Sequence, residues 1–340
     1  MRPRLLHAAI AAACLVAPLH AQTVLRTPTA TIELIGLRRW TVAMIEDSLE
    51  KYSPADKLTA HACAAILRDK LHFADAAVNT YTGFPEYGFK EYVAITIVEP
   101  QDSARIRYKP AFRDSVPVRA EWAEAVEVFK KENGLAQQAL QSGSFFDAHL
   151  SPADSAKFEK LEPLHRLIAS SRTHAAFVEA VRALNEDAGM WNRMIAAIIV
   201  GNFADRDSAW FALVDAQRDP VGSVGGTASQ VLRSMTIRAP RTVDWRPISG
   251  QLRYLLDGTN LFAFNGTLKV LTETKVGSSL APALLGNGGG NMLRAKLHSG
   301  DVLAKREVRS FLSQISGLPA TADDAVLERW MDSLDSGAKT

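Results

Sequence analysis

From Thr31 to Ile35 apolar and polar positions alternate as in a strand; Gly36 interrupts the run, and Val42, Ile45 and Leu49 then recur at helical spacing over residues 41–51. Ser53-Pro54 opens a second helix, with proline at the first position, where its missing N–H costs nothing. Its apolar face is expected to use Leu58, Ala62, Ala65 and Ile66. Two strands should follow, residues 73–81 and 92–99. In the second, Tyr92, Ala94, Thr96 and Val98 share one face, while Val93, Ile95 and Ile97 share the other. The order is β-α-α-β-β. Pro100, Pro110 and Pro117 then punctuate a boundary, with a charged strand expected between them at 104–109.

Beyond that boundary the pattern is helical. Residues 118–133 are amphipathic up to Gly134, Ser151-Pro152 caps a helix running toward Ser170, and residues 174–185 form another. A recurrence then sets in. Asp219-Pro220 with Val224, Ala228 and Leu232 is followed 38 residues later by Asp257-Gly258 with Phe262, Gly266 and Val270. A poorer copy runs through Ala304, Val308 and Leu312, and residues 323–334 would cap the last apolar face. This layout over about 190–317 is similar to HEAT-like repeats.

The opening also has a relative in pattern. Ile32-x-Leu34-x-Gly36-Leu37-Arg38, Thr41, Ile45 and Leu49, closed by Val93-x-Ile95-x-Ile97-Val98-Glu99, resembles the POTRA domain of outer-membrane assembly and secretion proteins over roughly 31–100. Neither the usual repetition of such domains nor a membrane barrel follows in this chain. The resemblance implies an edge strand that can accept a partner's strand. The expected class is therefore α+β: a small β-α-α-β-β domain within residues 22–110, then an all-α, HEAT-like helical array over 118–340.

The amino terminus changes where this fold is expected to work. Met1-Arg2-Pro3-Arg4, an apolar run from Leu5 to Val16, and Pro18-Leu19-His20-Ala21 form the three regions of a secretory signal over residues 1–21, with the cut after Ala21. A lipoprotein-type cut before Cys14 is the less favoured alternative. The run is too short to remain as a membrane span, and no later segment is long and apolar enough. After cleavage at Ala21 the one cysteine is Cys63, so no internal disulfide is available. Losing Arg2 and Arg4 leaves 37 basic residues against 37 acidic ones, which removes the overall electrostatic case for nucleic acid. The expected destination is the periplasm or the medium.

Candidate chemistry is sparse. His61, Cys63, His72 and Asp75 lie close in sequence, but His61 and Cys63 fall on different helix faces, so no metal set is expected. His165 and His174 recur near Ser170, Ser171 and Asp187 without the turn that marks a serine nucleophile. The string Gly286-Asn287-Gly288-Gly289-Gly290-Asn291 lacks the Lys-Ser/Thr of a phosphate loop and is expected to be a tight connection or hinge. Asn265-Gly266-Thr267 matches a glycosylation tripeptide but falls inside an expected helix. No cofactor motif emerges. Trp191, Trp210, Tyr254 and Phe262, with Arg294, are the candidate partner-binding residues, because aromatic and arginine side chains supply most interface anchors. The expectation is a non-catalytic scaffold that binds a protein or peptide. The alternative is a hydrolase or other enzyme whose site assembles His72, His165 or His174 with scattered Asp and Ser residues only in the fold.

Overall fold

The computed structural model describes residues 21–52, 58, 62–146 and 151–336. The expected export signal up to His20, Cys14, the Ser53-Pro54 helix start and His61 lie outside the described residues.

Four strands, β1 (Ala21–Arg26), β2 (Ala30–Leu37), β3 (Asp75–Tyr81) and β4 (Glu91–Val98), form one mixed sheet in the order β1-β2-β4-β3. β2 and β4 run parallel, and each outer strand pairs antiparallel with its neighbour. Helices α1 (Val42–Tyr52) and α2 (Ala62–Asp69) connect β2 to β3. Two details extend the expected β-α-α-β-β order. β1 adds an edge strand ahead of it, and β2 continues past Gly36 to Leu37. Gly36 kinks the strand without ending it: its φ is +93°, and the β1–β2 register slips by one residue beside it, as in a β-bulge.

One sheet face carries Ile32, Leu34, Val93, Ile95 and Ile97 against Ile45 and Leu49 of α1 and Cys63, Ala64 and Leu67 of α2. The buried stripe of α2 therefore sits one position away from the expected one, leaving Ala65 and Ile66 half-buried. Residues 104–109 are not a strand. A 3-10 turn (Pro100–Arg105) is followed by an extended passage whose edges bond to the helices instead, with Arg107 N donating to Thr259 Oγ1 at 3.0 Å and Lys109 N to Arg218 O at 2.7 Å.

Helical structure then takes over: α3 (Glu121–Lys131), α4 (Asn133–Ser142), α5 (Pro152–Lys157), α6 (Glu162–Ser170), α7 (His174–Glu186), α8 (Met190–Val200), α9 (Asp207–Ala216) and α10 (Gly222–Arg238). The chain continues through α11 (Ser249–Leu256), α12 (Phe264–Glu273), α13 (Ala281–Leu285), α14 (Asn291–Leu297), α15 (Val302–Ser316) and α16 (Asp324–Ser336). Gly134, expected to stop a helix, lies within the first turn of α4. Ser151, Thr173 and Asp301 each cap a helix by accepting an amide three residues on. Two rows result. α8, α10, α12 and α15 pack in succession, and α9, α11, α13 and α16 pack beside them. One continuous apolar core runs through both rows and includes Trp210, Trp245, Phe264 and Phe311.

The sheet's second face is closed by the far end of the chain, because α14 lies on β2. The seam between them is polar. Glu33 accepts Tyr92 Oη and the Gly300 amide, the latter at 2.8 Å; Asp301 accepts Tyr87 Oη at 2.9 Å and Tyr81 Oη at 3.3 Å. Tyr87 and Tyr92 stack with centroids 4.3 Å apart. Burial raises all three tyrosine pKa values, and the neighbouring carboxylates raise them further, so these rings stay neutral donors.

Candidate interaction cleft at the sheet edge

β3 is an edge strand, and its first residue builds the floor of a cleft. Asp75 is 2% exposed; its Oδ2 accepts Tyr108 Oη at 2.8 Å and Leu261 N at 3.0 Å, and its Oδ1 accepts Ala76 N at 2.8 Å. Burial pushes the Asp75 carboxyl up, against the pull of those three donors and of Arg68. Burial likewise raises Tyr108, helped by the Asp75 charge. The same Tyr108 Oη accepts the amide of Asn260 at 3.0 Å, and Asn260 Nδ2 donates to Gln217 O at 2.7 Å. Asn260 has a φ of +58°, a conformation asparagine tolerates better than most residues. The 257–263 turn is thus bonded to the sheet edge on one side and to the end of α9 on the other.

Between these parts lies a cavity of about 540 Å³, within the size range of ligand and peptide-anchor pockets. Arg68 and Asp69 of α2 form one lip; Pro220, Gly222 and Phe262 form the other. Phe262 is 63% exposed although it is large and apolar. A shallower groove of about 130 Å³ lies between α10 and α12, with Phe262 as the ridge it shares with the main cavity and Arg233 and Lys269 on its border.

The strand edge itself faces this space. Ala76 donates its N–H to the Asp75 carboxylate, and its carbonyl accepts Arg68 Nη1 at 2.7 Å, so its peptide groups point away from β4. Alternation along an antiparallel strand gives Val78 the same outward direction. Ala76, Ala77 and Val78 all line the cavity.

Of the candidate partner-binding residues, Phe262 alone borders the cleft, and of the candidate chemical residues Asp75 does. Trp210 is fully enclosed, with Nε1 donating to Ala204 O at 2.9 Å, and so presents no surface. Trp191 packs edge-on against Phe129, and Tyr254 lies under the Arg218 guanidinium at 5.0 Å. Arg294 is held by Asp332 at 3.0 Å, which fastens α14 to the terminal helix. The glycine string turns its Gly288 amide to Asp335 Oδ1 at 3.2 Å, so a carboxylate of the same chain takes the place an outside anion would need. His165 rests on Phe145, His174 meets Arg206, Ser171 accepts from Arg119, and Asp187 holds the Val116 and Gly189 amides; each is engaged with a different partner. Among the described residues no three of His, Cys, Asp and Glu are grouped to share a metal ion, and no helix is long and apolar enough to cross a membrane. Arg68, Tyr108 and Asn260 were not legible as site residues, because the contacts that unite them span up to about the length of a whole domain.

Compared with protein-family models, curated proteins and solved structures, the chain matches none.

Proposed function

We propose that this protein is an exported scaffold that receives an extended peptide segment of a protein partner along the outer edge of β3. The reading rests on one observation: the outer strand β3, whose edge groups at Ala76 are taken within the chain and whose Val78 groups turn outward, borders a cavity of about 540 Å³ with an exposed phenylalanine at its rim. Main-chain bonds from the outward groups of Val78 would supply affinity, and an apolar side chain packed on Phe262 would set register. The adjoining groove is bordered by Arg233 and Lys269, so the preferred segment carries an acidic residue just beyond its apolar anchor. In this reading residues 31–100 act as a POTRA-like strand acceptor, and the two-row helical stack acts as a HEAT-like support that holds Phe262 against it. The amino-terminal signal would deliver the protein to the periplasm or the medium.

The test is cross-linked capture from envelope and culture fluid by the full-length protein, with Val78→Pro and Phe262→Ala variants alongside. Val78→Pro removes an outward donor without touching the β4 ladder. A partner recovered by the wild type and lost from both folded variants supports the reading. Equal recovery by all three proteins, or no recovery by any, overturns it.

A further inference from the structure

The end of β3 farthest from Asp75 leads into the loop of residues 82–90, which returns as β4. This loop places two phenylalanines, Phe84 and Phe89, where turn chemistry favours small or polar residues. Phe89 is 72% exposed and Phe84 41%. Phe89 also adopts φ +59°, directly after Gly88 at +63°. Glycine or asparagine takes that backbone at little cost, whereas a bulky ring does not. The ring contacts of the loop go to Phe84 and Tyr87, so Phe89 combines a strained backbone with a hydrated ring and gains no aromatic partner among the described residues. We infer that this hairpin tip is a membrane anchor, whose two phenylalanine rings enter the interfacial layer of a phospholipid bilayer.

The loop is held in shape by its own bonds. Phe84 O accepts the amides of Tyr87 and Phe89, both at 3.1 Å, and Gly88 N donates to Pro85 O at 3.0 Å, while the Pro85 ring fixes its own φ. Behind the tip, Tyr87 stacks on Tyr92 and donates to Asp301 Oδ1, and its Oη accepts Leu303 N at 3.3 Å. The base of the loop is thereby clamped to the start of α15. Phe84 meets Tyr81 edge-on at 6.0 Å. A tip already ordered in this way loses little conformational freedom on insertion.

Size and charge select the occupant. A phenylalanine offers about 150–250 Å² in all, so at these exposures the two rings present roughly 170–280 Å². A stable protein interface takes about 800 Å² from each partner, several times more than this tip supplies. A bilayer demands no matching surface, and its interfacial layer accepts aromatic rings. The charges about the tip balance, with Lys90 and Arg26 against Glu86 and Glu91; the turn that follows Arg26 is joined to the loop where Glu91 N donates to Thr29 O at 3.3 Å. Attraction to anionic headgroups is therefore not the driving force, and attachment through so small a wedge is reversible. The tip and the cleft lie at opposite ends of β3, so this inference does not depend on the strand-acceptor reading.

The full-length protein is sedimented with phosphatidylcholine vesicles over a range of lipid concentrations, at low and at high salt. Saturable binding that salt does not weaken is expected. Phe89→Gly, which suits the left-handed backbone, should melt no lower than the parent and yet bind about tenfold more weakly or less, the loss of one buried aromatic side chain. Phe84→Ser should weaken binding in the same direction. Phe89→Trp should bind as the parent does, and lipids brominated in the acyl chain should quench its added fluorescence. Parent affinity in Phe89→Gly overturns the proposal, as does binding that needs anionic lipid and disappears in salt. Absence of vesicle binding at every lipid concentration also overturns it, and a protein cross-linked from position 89 in its place would assign the tip to a protein partner.

Discussion

Lys296 Nζ donates a hydrogen bond of 2.7 Å to Thr96 Oγ1, joining α14 to the central strand β4 across 200 positions of sequence. Burial drives this ammonium group below its ordinary pKa, while Asp301 and Glu33 pull it back up. Lys296→Ala should therefore cost about 3–5 kcal/mol, since it leaves both carboxylates without their buried cation and opens a cavity. Lys296→Met, which refills most of the volume, should cost clearly less. Urea unfolding of both variants is the check, and equal losses would show that charge alone matters there.

Glu99 predicts an acid limit to stability. Its carboxylate accepts the amides of Arg38 at 2.7 Å, Trp40 at 3.0 Å and Arg39 at 3.0 Å, closing the turn between β2 and α1. Burial is the largest influence and raises its pKa, but those donors and Gln101 together outweigh it and leave it below the ordinary 4.5. A lowered carboxylate stabilises fully above its unfolded value, and that stability is lost as pH falls through the folded one. Thermal unfolding followed downward from neutral pH should lose stability in that range, and Glu99→Gln should flatten the curve while lowering the neutral value. An unchanged acid limb in the variant would assign the loss to other groups.

Arg193 and Asp219 form a buried fork, Nε to Oδ2 at 2.7 Å and Nη2 to Oδ1 at 3.1 Å, and Asp219 Oδ1 also accepts the Val221 amide at the start of α10. Phe112 lies against the guanidinium at 4.7 Å. Asp219→Ala should destabilise by about 3–5 kcal/mol by stranding a buried cation. Arg193→Lys should fail to preserve wild-type stability, because an ammonium cannot reproduce the fork. Chemical denaturation that finds Arg193→Lys as stable as the parent would refute the second expectation.

Two glycines should respond in opposite ways to alanine. At Gly36, a Cβ would stand 2.3 Å from Ile97 O on a backbone with φ +93°, so Gly36→Ala should cost about 2 kcal/mol or more. At Gly134, within helix α4, a Cβ would meet nothing within 4 Å, so Gly134→Ala should stabilise by about 0.5–1 kcal/mol. Melting curves of the two variants decide both.

Alternation made the sheet legible. Val93, Ile95 and Ile97 face α1 and α2, while Tyr92, Ala94 and Thr96 face the opposite way, as the period of two requires. The face of α2 was not legible, because Ala62, Cys63, Ala64, Ala65, Ile66 and Leu67 give apolar residues in adjacent helical phases and tertiary packing decides between them. At Gly134 the expected helix end was legible within a few residues, since α3 stops at Lys131, but the new helix that starts at Asn133 was not, because an exposed first-turn glycine weakens a helix without preventing it. Of the cleft, Phe262 could be singled out by type, but Asp75 acquires its role only through Tyr108 and the Leu261 amide, 186 positions away. Glu33, Lys296 and Asp301 look like surface residues in the sequence, since the groups that satisfy them come from the other end of the chain.

The closure of the sheet by α14 and Gly300–Asp301 has a kinetic side. During synthesis, β1 to β4 can pair and bury Ile32, Leu34, Val93 and Ile95 against α1 and α2 early, using contacts local to the first hundred residues. The opposite face, with Ile35, Tyr92, Ala94 and the Glu33 carboxylate, must wait for the last quarter of the chain. Until then the first unit is a half-covered sheet with sticky aromatic residues, the kind of intermediate that invites chaperones and proteases. A chain ending before α14 would be expected to remain in that state, its amino-terminal half correctly paired and yet never finished.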